Sequence, residues 1–159
     1  MRRKDKEVTD NKEILDIIQN CDSMTMALLD EGRPYLLPMN FGYEYENEKL
    51  VFYLHSARQG TKLDLISKNN NVWFSMDCDH ELIGGEKACN FTMEYASVIG
   101  SGKIYIIDQT DEKIKALKLI MKKYVAGKEF EFEEKQTDAI AILKIEVEQY
   151  TAKRSIKKQ

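Results

Sequence analysis

The stretch "VFYLHSARQGTKLDLI", residues 51–66, passes from a strand pattern to a helix pattern with almost nothing between them. The join holds His55, Ser56, Arg58, Gly60, Thr61 and Lys62. A helix N-terminus presents unpaired backbone N–H groups and the positive end of the helix dipole, so it attracts anions. Ser56 adds a hydroxyl donor, and Gly60 lets a ligand approach the backbone closely. Lys62 brings a full charge into the first turn, and Arg58 is a second cation. These are the parts of a phosphate site. They also suit an ordinary solvated turn, and spacing alone does not separate the two. Histidine as a residue type titrates near neutrality, yet a histidine at a strand end is more often a structural hydrogen-bonder than a catalyst.

Two further stretches carry polar groups in apolar settings. In "LLPMNFGY", residues 36–43, Asn40 interrupts an apolar strand. A buried amide needs partners, and its donors and acceptor suit the polar edge of a heterocycle. The plainer reading has Asn40 satisfying backbone at a bulge after Pro38. In "CNFTMEYASVIGSGK", residues 89–103, Cys89, Phe91 and Met93 alternate with Asn90, Thr92 and Glu94. That alternation gives a strand two different faces, as a barrel strand with one wet face also would. "DCDHE", residues 77–81, gathers Asp77, Cys78, Asp79 and His80. Strand alternation would aim these to opposite faces, no second ligand cluster exists, and no metal site is expected.

The elements that would position these residues follow from periodicity. Asp10 and Glu13 have the spacing of a capping box opening a helix over 11–20, with Ile14, Ile17 and Ile18 on one face. Strands are predicted over 23–29 and 34–45, joined by the turn "DEGR". Pro34 and Pro38 make the second an edge strand, or an irregular one at Pro38. A third strand covers 50–55, a short helix 60–68, a fourth strand 71–78 and a long strand 94–108, with a polar stretch over 79–89. A helix over 111–127 is capped by Thr110 or Asp111 and stopped by Gly127. Its core face is read as Ile114, Leu117, Met121, Tyr124 and Val125, with lysines opposite. The last strand spans 139–153. Hairpin-like connections without βαβ alternation predict an α+β fold, a mostly antiparallel barrel with helices packed outside it. The "GSG" at 100–102 lies inside a strand pattern and so makes no dinucleotide loop.

Composition narrows the class. The 159 residues suit one domain covering 1–159, and a net charge of −3 argues against a general nucleic-acid binder. The basic "KRSIKK" near the C-terminus reads as a solvated tail. No apolar run approaches the roughly 20 residues of a membrane span, and "MRRKDKEVTD" has no apolar stretch behind it to make a signal peptide. Cys21, Cys78 and Cys89 are odd in number and widely spaced, which predicts reduced thiols and a cytoplasmic protein.

Three segments together carry a resemblance: "MRRKDKEVTD", "ALLDEGRPYLLPMNFGYEYENEKLVFYLHSARQGTKLDLISKNNNVWF" and "CNFTMEYASVIGSGK". They resemble the nitroimidazole-resistance branch of the pyridoxamine 5′-phosphate oxidase-like flavoproteins, across most of the chain. The resemblance implies a split β-barrel that forms a homodimer and binds FMN at the subunit interface. It implies a flavin phosphate at His55, Ser56, Ala57, Gly60 and Lys62, and a strand of Pro38, Met39, Asn40 and Phe41 beside the isoalloxazine ring. It implies that Tyr95, Ser97 and Val98 close the site from the partner subunit. This chain departs from the family pattern at Thr61, where a basic residue is common, and at Ala152, where a glycine is common. The expected function is an FMN-dependent oxidoreductase acting on small molecules, with nitroaromatic compounds as a substrate class and His55 as the catalytic proton donor. Two other readings stay open: a flavin-binding module without turnover, and a haem-binding barrel with His55 or His80 as axial ligand. Pyridoxamine phosphate oxidation itself is disfavoured, because no arginine-rich C-terminal motif exists beyond Arg154.

Overall fold

The computed structural model describes residues 3–155. A 3₁₀ turn at Lys4–Lys6 leads into β1 (Glu7–Val8) and α1 (Asn11–Asn20). Then come β2 (Met24–Asp30), β3 (Arg33–Met39), β4 (Gly42–Glu46) and β5 (Lys49–Ala57). The helix α2 (Thr61–Lys68) precedes β6 (Asn71–Ile83), a 3₁₀ turn at Ala88–Asn90, and β7 (Thr92–Ile107). The chain continues through α3 (Thr110–Tyr124), α4 (Glu134–Asp138) and β8 (Ile140–Ser155).

The strands form one antiparallel sheet in the order β3-β2-β6-β7-β8-β5-β4, with β1 paired to the far end of β8. β3 and β4 are the two ends of that path, yet only Asn40 and Phe41 separate them in sequence. Three Cα steps span at most about 11 Å, so the sheet has to curl until its ends nearly meet. The result is the α+β split barrel that the sequence predicts. No helix among the described residues is long and apolar enough to cross a membrane.

Both tight hairpins obey turn chemistry. Glu31 and Gly32 have positive φ of 48° and 83° between β2 and β3. Asn47 and Glu48, at 50° and 62°, do the same between β4 and β5. Two positive φ values match the right-handed twist of the flanking strands. β3 pairs only with β2, so the missing N–H groups of Pro34 and Pro38 are tolerated on an edge. Their register runs unbroken from Met24↔Met39 to Asp30↔Arg33, with no bulge at Pro38.

The barrel interior is the main core. Met24, Met26, Phe41, Phe52, Phe74 and Leu143 are among its buried side chains, and Ile14, Ile17 and Ile18 of α1 join it. Leu65 and Ile66 bring in α2. A second core lies outside the barrel, where α3 covers β5 and β8: Tyr53, Ile107, Ala116, Leu117 and Ile142. β5 therefore has apolar residues on both faces at Phe52, Tyr53 and Leu54.

Several local expectations are corrected. The predicted strand over 34–45 is two strands, broken at Asn40 and Phe41 because the chain passes there from one sheet edge to the other. Asp10 caps α1 by accepting from the Lys12 N–H at 3.3 Å, but Glu13 does not complete the box. Its carboxylate instead takes the Arg154 guanidinium at 2.9 Å, a stronger charged partner. A complete capping box forms between Glu133 and Gln136 on α4, a helix the sequence reading missed. No side chain caps α3, whose N-cap is Gln109.

The buried face of α3 is also rotated from the expected one. Lys113, Ala116, Leu117 and Ile120 are buried, while Tyr124 is exposed. Gly42 sets this packing: a Cβ there would lie 2.4 Å from the Ile120 nitrogen, so the helix backbone rides directly on β4. β6 runs on to Ile83 through a register shift after Cys78, so its end occupies part of the predicted polar stretch. β8 runs to Ser155, so the first half of the expected basic tail is strand, and the remainder lies outside the described residues.

Candidate functional site

The turn that opens the sequence argument is built by β5, α2 and their three-residue connection. Alternation along β5 sends Leu54 and Ser56 inward and His55 and Ala57 outward. Ser56 is buried, and its hydroxyl donates to the Ala57 carbonyl at 2.7 Å. His55 is exposed, sits opposite Ile142, and makes no side-chain hydrogen bond among the described residues.

Gly60 is the N-cap of α2, with φ 134° and ψ 162°. Only glycine reaches that backbone region comfortably, and nothing lies within 4 Å of where its Cβ would be. Its carbonyl starts the helix by accepting from the Leu63 N–H at 2.9 Å. No side chain caps the N–H groups of the first turn. Lys62 is half-buried there and has no ion pair among the described residues. Arg58 is already committed, because its guanidinium donates to the Asp138 carbonyl at 2.6 Å and ties the turn to the end of α4.

The Pro38–Phe41 segment approaches the same end of the barrel. Gly42 pairs with Tyr53, so extending that register sets Asn40 level with His55. Asn40 is exposed rather than buried, and its Nδ2 donates to the Asp22 carbonyl at 3.3 Å, with no bulge at Pro38. Pro38 is exposed and Met39 is half-buried against the core. Phe41 is fully buried, edge-on to Phe52 with ring centroids 5.4 Å apart.

The sequence reading missed Tyr124, which fixes this link. Its hydroxyl donates to the Asp22 carbonyl at 2.7 Å and accepts from the Phe41 N–H at 3.1 Å. A tyrosine at the end of an amphipathic helix reads as core, and nothing local marks it as a bridge.

The third segment is distant in the same chain. His55 lies across from Ile142, and Ile142 across from Ile107 of β7. Ser97 is ten residues back along β7 (107 − 97), which is roughly 30 Å of strand. Tyr95 and Ser97 are half-buried, whereas Val98 is fully buried in the barrel core. Ala152 pairs with Val98 inside β8, so no ligand-binding turn exists there.

The "DCDHE" side chains diverge. Cys78 faces the core, His80 Nε2 lies 2.8 Å from Asp77, and Asp79 takes the Arg154 guanidinium at 2.8 Å.

Comparison with known proteins places this geometry. The family model described as pyridoxamine 5′-phosphate oxidase matches residues 10–154. The chain belongs to the pyridoxamine 5′-phosphate oxidase family. Among solved structures, one similar to this family member is a candidate 5-nitroimidazole antibiotic resistance protein from Bacteroides thetaiotaomicron. It is 32% identical, with TM-score 0.80, covering 93% of this chain and 86% of that one. The flavocytochrome Anf3 of Azotobacter vinelandii shares the fold at 16% identity and TM-score 0.79, covering 99% of this chain and 72% of its own. An FAD- and haem-binding protein of Mycobacterium smegmatis does so at 18% identity and TM-score 0.79, covering 96% and 74%. No curated protein matches the chain.

Proposed function

We propose that this pyridoxamine 5′-phosphate oxidase family member binds FMN between two copies of itself and acts as an oxidoreductase on nitroaromatic compounds. The observation that carries the reading is the opening of α2. N–H groups with no side-chain cap, a lysine without an ion pair among the described residues and a glycine with open space beside it stand together there. That donor set fits a phosphate monoester. The 32% identity to the candidate 5-nitroimidazole resistance protein supports the substrate class.

When bound, FMN supplies the electron transfer. The chain's own residues bind and orient it. Lys62 and the first-turn N–H groups of α2 would hold the phosphate. The carbonyl oxygen of the Asn40 side chain, not used by the Nδ2 bond to Asp22, would accept from a polar ring edge. His55 is exposed within reach of that end of the barrel, and its ring nitrogen would deliver a proton to substrate. Tyr95 and Ser97 are too distant to serve the same site in one chain. A second copy supplies them in this reading.

The test begins with the absorption spectrum of the purified protein and the mass of the ligand it releases. A flavin spectrum with FMN released, followed by reduction with NADH or NADPH and reoxidation by a nitroaromatic, is the expected result. Flavin without reoxidation would leave a binding module, and a haem Soret band would overturn the cofactor assignment.

A further inference from the structure

Cys21 and Cys78 are far apart in sequence and adjacent in the core. Cys21 is the C-cap of α1, and its N–H donates to the Ile17 carbonyl at 3.1 Å. The Cys78 thiol, on β6, donates to the same carbonyl at 3.6 Å. The two cysteines therefore converge on one backbone carbonyl, Cys21 through its N–H and Cys78 through its thiol. Cys21 is fully buried, and Cys78 is 8% exposed at the edge of the core. The Lys123 ammonium donates to the Ile18 and Gln19 carbonyls at 3.1 and 2.8 Å, so a cation stands at the same helix end. Its charge acts on both sulfurs. Beside the Cys78 thiol the Asp79 carboxylate, which holds the Arg154 guanidinium at 2.8 Å, outweighs that guanidinium.

We propose that Cys21 and Cys78 form a dithiol site that hydrogen peroxide converts to an intramolecular disulfide. The inference does not rest on the flavin reading, since neither cysteine belongs to that site. The Cys78 sulfur, the more accessible, attacks the peroxide. The O–O bond breaks, one oxygen stays on sulfur as a sulfenic acid, and the other leaves as water. The Cys21 sulfur then attacks the Cys78 sulfur, the S–O bond breaks, a second water leaves and the S–S bond forms. Two thiols are oxidised and one peroxide is reduced to two waters. Burial pushes both thiols up, so thiolate is scarce and the first step is slow. The second is favoured by position, because both cysteines are held on the same Ile17 carbonyl. Cys89 is exposed and lies outside the pair.

The experiment treats the folded, full-length protein with hydrogen peroxide, alkylates remaining thiols and maps the unreduced digest by mass. A peptide linking Cys21 to Cys78, lighter by two hydrogens and lost on reduction, is the expected product. Cys89→Ser protein should give the same linkage, with the exposed competitor removed. Both samples keep the core cysteines, so the test does not depend on a core variant that fails to fold. Sulfinic acid on Cys78 with Cys21 alkylated would overturn the proposal. So would oxidation confined to Cys89 in the wild type, or a linkage that forms only in denaturant.

Discussion

Lys62 is half-buried in the first turn of α2, without an ion pair among the described residues, so its charge is available to a ligand. A hydrogen bond to a charged group contributes about 1.5–3 kcal/mol. Lys62→Ala should therefore weaken FMN binding roughly 10- to 100-fold. Riboflavin lacks the phosphate, and its affinity should barely change. Paired flavin fluorescence titrations on wild type and variant check this; equal losses for the two ligands would remove Lys62 from the phosphate. A second residue-scale case is Glu44. Burial works to raise its carboxyl, but hydrogen bonds from Lys115 and Tyr53 outweigh it and hold the group below its usual range. The Tyr53 hydroxyl donates to it at 2.6 Å, and Lys115 lies at 2.5 Å. Lys115 is half-exposed, so solvent screening leaves Tyr53 as the main contributor. A folded-state value below the unfolded one stabilises the protein above the unfolded value, and the gain is lost as pH falls through the folded one. Glu44→Gln should cost about 1–1.5 kcal/mol at neutral pH, the gap between a charged and a neutral hydrogen bond. That cost should fade below about pH 4. Urea melts across pH measure it, and a pH-independent difference would exclude the ionic contribution.

At the scale of elements, the contact of α3 with β4 depends on Gly42. A methyl group there meets the Leu119 carbonyl carbon at 2.6 Å and the Ile120 nitrogen at 2.4 Å, backbone atoms that no rotamer change moves. Gly42→Ala should cost about 1–3 kcal/mol through overpacking, seen as a lower thermal midpoint. Unchanged stability would mean that α3 shifts freely on the barrel. This contact also explains what the sequence left illegible. The pattern over 111–127 is amphipathic, and its helix is present, but the buried stripe is turned toward Lys113 and Ile120. A lysine whose stem is buried beneath its charge reads as surface in any periodicity count. Helix α1, the two hairpins and α2 were legible because apolar spacing and turn residues agree there. The two-residue β1 pairs only with β8 and carries no period of its own. The end of β6 beyond Cys78 is exposed and polar, so it reads as loop. In the candidate site, the residue types of the 55–62 turn were legible. The inward aim of Phe41 and Val98 was not, because it depends on which face of the sheet becomes the core.

For the whole molecule, one outer face of the sheet is apolar. Leu36, Ala27 and Trp73 form one cross-strand row over β3, β2 and β6. Pro38, Thr25, Ser75 and Ile99 form the next, reaching β7. Leu36, Trp73 and Ile99 are 62%, 48% and 49% exposed, which is much apolar surface to leave in water. Ser97 lies two residues beyond Ile99 on the same face, so this face is continuous with the segment assigned to a second copy. Trp73→Lys should shift the protein toward monomer in sedimentation velocity and weaken FMN binding with it. A monomeric wild type that still binds FMN tightly would sink the shared-site reading.

The position of β8 has a consequence for how the protein is made. It follows every other described element in the chain, yet it pairs with β1, β5 and β7 and joins the two halves of the sheet. While a ribosome is still translating the residues before Ile140, β5 and β7 lack their shared neighbour and each presents a bare edge. Such edges template pairing with other chains. Folding has to wait for β8 and then close contacts across nearly the whole length of the chain, Glu7 to Lys153 among them. Non-local pairing of this kind belongs to the slow, millisecond-to-second class. Chains ending before β8 should therefore pellet as aggregate in a cell-free translation reaction while the full-length chain stays in the supernatant, and an equally soluble truncation would mean that β5 and β7 do not need their shared neighbour.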